Sequence, residues 1–409
     1  MKVIVLGSGV IGVTSAYFLA KEGHEVTVIE QNSAPARGCS FANGGQLSYS
    51  HVESWAAKSS LYSMIKSYCM PNSYLTSGDV FSKKFLKWFM EFYFNSFDKR
   101  AKKNTRDISS LAKYSQESMK EIMDAEKIDF DYTQTGTLHF FRKKRKFNKA
   151  VKGLKFDKSL GIKFEILNKD EVVKKEPTLT KLHEDNMLAG GIFYPDDASG
   201  NSFKFASGLA KVCQEKYGVK FVYNCKIKNI LTNFKKITGI NTNLEVFSGD
   251  AYVYALGAIG DDLLKGINVK SKLYPLKGYS LSIKVNEPEF KAPLMALTDP
   301  ENRVVYSRIG NIFRAAGTVE ISGLNEFMNK KNINFIRDNI SSTFADAGDM
   351  REITQWFGFR PFRPSSLPMI CKVKKYPNLF MNTGHGSLGW TLSAGSGKVV
   401  SELISKKDS

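Results

Sequence analysis

The junction of Lys2-Val3-Ile4-Val5-Leu6 with Gly7-Ser8-Gly9-Val10-Ile11-Gly12 constrains the fold of this chain more than any other feature. The first five residues read as a short buried strand, and the next six fit G-x-G-x-x-G. An apolar helical run follows (Val13, Ala16, Tyr17, Leu19, Ala20) and closes at Gly23. A second strand, Glu25-Val26-Thr27-Val28-Ile29, ends in Glu30. Strand, glycine turn, helix, strand and acid, in that order, predict a parallel βαβ unit with a dinucleotide at its turn. Gly7 permits the tight turn, Gly9 lets backbone approach a pyrophosphate, and Gly12 lets the helix pack on the strand. The helix N-terminus offers free N–H groups and partial positive charge to the phosphates. Ser8, Val10 and Ile11 complete the turn and are assigned with it to the cofactor site. Glu30 stands where a carboxylate accepts from both ribose hydroxyls, and it would repel the 2′-phosphate of NADP. The motif alone does not separate FAD from NAD.

A chain of 409 residues is too long for one simple core, so two domains are expected. No apolar run reaches the roughly 18 residues of a membrane span. The N-terminus lacks the basic and cleavage regions of a signal peptide, which predicts a cytoplasmic location. The five cysteines (Cys39, Cys69, Cys213, Cys225, Cys371) are scattered and odd in number, and read as reduced, mostly buried thiols. No Cys/His spacing suggests zinc, and a count of five histidines argues against a His-based metal site. The net charge of +19 reflects a lysine-rich composition or an attraction to anionic membrane. Nucleic acid is not expected as a partner. The basic runs Lys99-Arg100-Ala101-Lys102-Lys103 and Arg142-Lys143-Lys144-Arg145-Lys146 lack interleaved aromatic platforms.

Beyond the first unit, helical periodicity covers Asp107 to Glu126, with an aromatic-dense stretch, Phe81 to Phe97, before it. Thr137 to Phe141 reads as a strand and Lys143 to Leu160 as a basic amphipathic helix. Asn201 caps a helix through Tyr217. Asp250 to Gly257 is another buried strand ending in small residues. Antiparallel strands fill about 272 to 365, with one helix near Asn325 to Ser341. A strand at Leu379 to Asn382, a glycine turn and a helix from Leu388 to Ile404 end the chain. The fold class is therefore α/β, a Rossmann-like dinucleotide-binding domain with an inserted mixed β/α domain. The pieces 1–50, 196–270 and 370–409 are assigned to the first domain, and 51–195 and 271–369 to the second.

The C-terminal turn Asn382-Thr383-Gly384-His385-Gly386-Ser387-Leu388-Gly389-Trp390 again sets strand, glycine turn and helix in sequence. Partial positive charge there, beside a redox ring, would stabilise negative charge on reduced flavin. A simple NAD domain has no need of this second turn. With SFANGGQLS (Ser40 to Ser48), TGTLHFFR (Thr135 to Arg142), YPLKGYSL (Tyr274 to Leu281), GFRP (Gly358 to Pro361) and NTGHGSLGWTLSAGSG, the chain resembles the FAD-dependent D-amino-acid dehydrogenase small-subunit family. That family lies within the D-amino-acid oxidase/glycine oxidase group. The resemblance covers essentially the whole chain.

It implies FAD in an extended pose, and the lack of cysteine in SFANGGQ and NTGHG predicts that the FAD is non-covalent. Ser40, Asn43, Gly44 and Gln46 would run along the flavin, and Gly257, His385, Gly386, Leu388, Gly389 and Trp390 would complete the site. Arg360 matches the arginine that grips the substrate carboxylate in the wider group. A planar guanidinium suits that task because it makes two parallel charge-assisted bonds. Arg363 is a nearby rival. The chain departs from the family after this point: Arg363-Pro364-Ser365-Ser366-Leu367-Pro368 stands where Pro-Asp-Gly is usual. Lys277 and Tyr279 lie on a strand that passes near the flavin in such enzymes, and Tyr49 and His51 could line the pocket.

The expected activity is FAD-dependent oxidation of D-amino acids to 2-oxo acids and ammonia, with electrons leaving to a quinone or another carrier. Oxidation of a secondary amino acid (glycine, sarcosine, proline, hydroxyproline) and a flavoprotein electron-relay subunit are the alternatives. Phe85 to Phe94 is apolar almost all round yet too short to span a bilayer. It reads either as a core helix or as a shallow peripheral contact with the anionic inner face of the cell membrane.

Overall fold

Lys2–Leu6 sits inside a six-stranded sheet, parallel to Glu25–Ile29 on one side and to Ala251–Tyr254 on the other. The computed structural model describes residues 1–58, 61, 62, 64, 75–78, 80–285, 291–344 and 346–406. The sheet runs in the order Met369–Val373, Tyr376–Thr383, Ala251–Tyr254, Lys2–Leu6, Glu25–Ile29, Lys220–Val222. After Lys2, the strand Lys2–Leu6 is apolar because both of its faces are covered. Val3 and Val5 face the helices Val10–Lys21, Ser202–Tyr217 and Ser393–Ser405. Ile4 and Leu6, one step out of phase, face Ile230, Ile237 and Ile240 of a small antiparallel sheet.

The second large sheet is mostly antiparallel. Its strands lie in the order Ile353–Phe362, Tyr274–Lys284, Ile312–Ile321, Val304–Ile309, Ala296–Asp299, Thr137–Phe141, Gly190–Tyr194, Glu165–Leu167. Leu75–Ser77 pairs beside the end of Ile312–Ile321. Helix Lys330–Thr343 packs on one face through Ile333, Ile336 and Ile340. The other face meets the dinucleotide layer, and the main cavity lies between them.

Several elements depart from the sequence expectation. The helix expected from Asp107 begins at Asp98 and takes the Lys99 to Lys103 run into its first turns. Although it falls within the 51–195 segment, it braces the dinucleotide layer: Tyr17 Oη donates to Glu126 at 2.9 Å, and the Ser115 hydroxyl accepts from Gly395 N–H at 3.0 Å. The helix placed near Asn325 starts at Lys330, where Asn329 caps it by accepting from Lys331 N–H. The C-terminal helix starts at Ser393 rather than Leu388, after a short 3-10 turn over Gly386–Leu388. Gly384 and Gly386, at φ +85° and +57°, fold the chain back so that His385 bridges to Phe362 and Trp390 is buried against Phe130 and Phe205.

The aromatic stretch is a helix, Lys83–Asn95, capped by the Ser82 side chain. It buries Phe85, Trp88 and Phe92 but leaves Leu86, Met90, Tyr93 and Phe94 exposed. Cys39, Cys213, Cys225 and Cys371 are free thiols, of which Cys213 and Cys225 are buried; Cys69 lies outside the described residues.

Candidate functional site

The cleft between the two layers holds a cavity of about 1120 Å³. It begins at the glycine turn. Gly7 has φ +96° and donates to Ile29 carbonyl at 2.8 Å, which is how the chain leaves the strand so sharply. A Cβ on Gly12 would overlap the Gly7 carbonyl oxygen, so only glycine lets the helix sit this close. A Cβ on Gly9 would meet nothing nearer than Ser40 Oγ at 3.6 Å and would project into open space above the turn. Ser40 Oγ accepts the Val10 N–H at 3.0 Å, which leaves its own proton free to donate. The open cradle above Gly9 fits a pyrophosphate, and the residues present fit FAD. Gly257, at φ +61°, is likewise open: a Cβ there would meet no described atom within 4 Å.

Glu30 is buried at the end of its strand and already accepts four hydrogen bonds. One carboxylate oxygen takes Ser8 N–H and Ser8 Oγ at 2.9 and 2.7 Å, and the other takes Asn32 N–H and Nδ2 at 2.8 and 2.7 Å. These bonds fix the carboxylate in place.

The residues of the Ser40 to Ser48 segment are held from the second sheet by their carbonyls. Ser280 Oγ donates to Ala42 carbonyl at 2.7 Å, Ser307 Oγ to Gly44 carbonyl at 2.8 Å, and Arg314 Nη1 to Asn43 carbonyl at 3.3 Å. Gly44 approaches so closely that a Cβ would stand 2.7 Å from Val305 Cγ2. Asn43 Oδ1 accepts the Gly45 N–H, and Gln46 Nε2 donates to Leu297 carbonyl, so both side chains also order the segment. Sequence reasoning misses Arg314. Its guanidinium is buried, and burial pushes its pKa down to about 10. An arginine on an alternating strand carries no sequence mark that it will reach across to another segment.

Of the assigned cofactor residues, Gly7, Gly9, Val10, Ile11, Glu30, Ser40, Asn43, Gly44, Gln46, Gly257, His385, Gly386, Leu388, Gly389 and Trp390 line the cavity. Ser8 and Gly12 stand behind it and shape the turn. His385 Nε2 is tied to Ser396 Oγ at 2.8 Å, and burial pushes its pKa down to about 3, so the imidazole stays neutral. Trp390 Nε1 is buried in the cavity wall without a hydrogen-bond partner among the described residues.

The two arginines separate cleanly. Arg360 lines the cavity, crosses Gly278 and donates from Nη1 to Thr318 carbonyl at 3.0 Å. Among the described residues it has no carboxylate partner, and burial lowers its pKa. Thr318 sits at φ +55°, in a bulge where two residues oppose Gly278, and this turns its carbonyl to the guanidinium. Arg363 does not line the cavity. Its Nη1 donates to Leu367 and Pro368 carbonyls at 3.1 and 3.4 Å, which holds the turn where the chain departs from the family pattern.

Two of the residues assigned to catalysis lie elsewhere. Lys277 is fully buried on the strand face opposite Arg360, paired with Glu320 at 3.3 Å and bonded to Phe327 carbonyl at 2.8 Å. Strand alternation puts Gly278 toward the cavity and Lys277 away from it. Tyr49 belongs to the core of the dinucleotide layer. Tyr279 reaches the lining, but its hydroxyl is bound to Glu320 and accepts Asn329 N–H. His51 does line the cavity, with its ring 4.5 Å from that of His139. His139, also in the lining, is a second residue that sequence reasoning misses. Burial, with His51 beside it, holds its pKa well below the usual imidazole value. Cys39 also lines the cavity and bonds the Phe359 carbonyl. Burial pushes its thiol up to about 12, so it is no nucleophile.

The arrangement is a long cleft with an open glycine turn, the buried carboxylate of Glu30 and a guanidinium, Arg360, that has no carboxylate partner among the described residues. Residues 2–403 match the family model described as FAD dependent oxidoreductase. A D-amino acid dehydrogenase of Granulibacter bethesdensis is 33% identical over 407 residues, covering 100% of this chain and 96% of the relative. A D-amino acid dehydrogenase of Vibrio cholerae is 33% identical over 409 residues, with the same coverage. Among solved structures, glycine oxidase from Bacillus cereus superposes with a TM-score of 0.74 at 20% identity, covering 98% of this chain and 94% of that one. L-proline dehydrogenase from P. horikoshii gives 0.74 at 17% identity, with 100% and 94% covered. At these identities the two structures share the fold.

Proposed function

The chain belongs to the family of FAD-dependent oxidoreductases, and from that premise we propose that it oxidises D-amino acids to 2-oxo acids and ammonia. The observation that carries this reading is the Arg360 guanidinium, unpaired with any described carboxylate, in the wall of a cavity that starts at the dinucleotide turn. The full-length likeness to D-amino acid dehydrogenases supports the same substrate class.

Bound FAD supplies a two-electron acceptor. The Gly9 and Ile11 N–H groups and the Ser40 hydroxyl would hold its phosphates, and Glu30 its ribose. Arg360 grips the substrate carboxylate, and Thr318 carbonyl fixes the angle of that grip. Orientation of this kind is a large part of the rate in a reaction that needs no strong base. The amine must be neutral to react. Loss of the Cα hydride and the amine proton leaves the 2-imino acid, which water hydrolyses to the 2-oxo acid and ammonia.

Electrons then pass to a quinone or another carrier. Support comes from helix Lys83–Asn95, whose exposed Leu86, Met90, Tyr93 and Phe94 precede the basic Lys99 to Lys103 run. No helix among the described residues is long and apolar enough to cross a membrane, so the contact proposed is peripheral, on the inner face.

The test is a panel of D- and L-amino acids with an artificial dye as acceptor, including proline, sarcosine and glycine. D-selective reduction across several primary amino acids supports the reading. Reduction by secondary amines alone would move the enzyme to that substrate class, and no reduction by any amino acid would overturn catalysis on them.

A further inference from the structure

We propose that Arg37 is an anion anchor for the pyrophosphate of the cofactor, an inference that rests on the FAD reading above. Arg37 is exposed at one edge of the cavity, in the same lining as Gly9, Val10 and Ser40. Its backbone is fixed beside the glycine turn because Ala36 N–H donates to Ser8 carbonyl at 3.0 Å. Its guanidinium lies over two rings, 5.5 Å from the centroid of Phe41 and 5.3 Å from that of Phe203. Those rings meet edge to face at 5.0 Å. These cation–π contacts hold the guanidinium at the cavity edge before any ligand arrives, so it loses less freedom when it bonds a phosphate.

The surrounding charge explains why an anion is the ligand. Among the described residues Arg37 has no carboxylate partner. The acid at this end of the cavity, Glu30, is engaged by Ser8 and Asn32. Helix Val10–Lys21 points its N-terminus at the same space and carries no acidic residue in its first turn. A fixed cation beside a positive helix end is unfavourable until something negative lies between them. The opening above Gly9, where a Cβ would touch only Ser40 Oγ, is that place. A pyrophosphate there would take backbone N–H groups from one side and a bidentate guanidinium from the other.

The experiment follows FAD release from the holoprotein by flavin fluorescence on dilution, at low and high salt, for the parent and for Arg37→Gln and Arg37→Lys. Arg37→Gln should weaken FAD about tenfold at low salt, the scale of one charge-assisted contact, and flatten the salt dependence. Arg37→Lys should recover part of the affinity and the salt slope. Melting of the FAD-free proteins serves as control, and Arg37→Gln should not lower it. Equal FAD retention in all three proteins would overturn the proposal. So would a loss in Arg37→Gln that leaves the salt slope unchanged, since that would assign Arg37 to stacking. No amino acid enters this measurement, so its failure is distinct from a failure of the substrate reading.

Discussion

Gly278 and Arg360 occupy one place in the second sheet: a Cβ on Gly278 would fall on the guanidinium carbon of Arg360. The two residues are near-neighbours across paired strands, with Gly278 opposite Gly358 and Leu276 opposite Arg360. The missing side chain is what lets the guanidinium cross the strand to Thr318 carbonyl. Gly278→Ala should therefore move Arg360 while leaving the dinucleotide turn intact. KM for the amino acid should rise roughly ten- to a hundredfold, about 1.4–3 kcal/mol, with FAD still bound. Steady-state kinetics with a dye acceptor, alongside the flavin absorbance of the purified protein, measure both.

Arg360 and Arg363 should respond to truncation in different ways. Arg360→Ala removes the proposed carboxylate partner and should cost roughly 2–5 kcal/mol in kcat/KM, with little change in melting temperature. Arg363→Ala leaves the Leu367 and Pro368 carbonyls without their donor and should lower the melting temperature more than it lowers kcat/KM. Amino-acid amides should be poor substrates of the parent. The reverse pattern in the two variants would exchange the roles.

Glu30→Gln should weaken FAD by about 1.5–3 kcal/mol, because the ribose loses a charged acceptor. Gln also leaves one of the two donor pairs, Ser8 or Asn32, facing an amide NH₂ instead of an oxygen. The turn should loosen even without cofactor, which a lower melting temperature of the FAD-free variant would report.

Two buried groups should shape the pH dependence of stability in opposite directions. His385 is held neutral down to about pH 3, whereas the unfolded chain takes up a proton near its ordinary value of 6.5. Between those values the unfolded state binds more protons, so this group's contribution is full above 6.5 and is lost as pH falls toward 3. Asp197 is pushed up to about 6 by burial, from 3.8. There the folded state binds more protons, and stability falls as pH rises through that window. His385→Gln should flatten the acid limb of a denaturation series. Asp197→Asn, which keeps an acceptor for Ser50 N–H, should raise stability at neutral pH and change little near pH 4.

The exposed face of helix Lys83–Asn95 should bind anionic vesicles reversibly and in a salt-sensitive way. Replacing Leu86, Met90 and Phe94 by Ser should abolish co-sedimentation without changing dye-linked activity, since none of the three lines the cavity. Turnover with quinone analogues should exceed turnover with oxygen. Rapid stoichiometric peroxide release in air would instead mark an oxidase.

The dinucleotide turn is legible in the sequence because its requirements are local. Gly7, Gly9 and Gly12 are demanded by one backbone path, and Glu30 by its distance along the chain from them. The helix that Asn201 caps and the strand Thr137–Phe141 are likewise legible, because hydrogen bonding and alternation act over a few residues. The family motifs singled out Arg360 but left Arg363 as a rival. The two part only in three dimensions, where one guanidinium lies over Gly278 in the cavity wall and the other lies on the carbonyls of its own turn. The tertiary structure also moved Lys277 and Tyr49 out of the cavity and brought His139 and Arg314 into or beside it. The reason is that a strand shows its two faces with equal sequence weight. Which face looks into the cleft is settled by sheet pairing between strands far apart in the chain, as where Arg360 meets Thr318. The length of the helix from Asp98 was settled the same way: its polar start has little periodicity of its own, and Gly395 and Tyr17, from distant parts of the chain, bond its Ser115 and its last residue, Glu126.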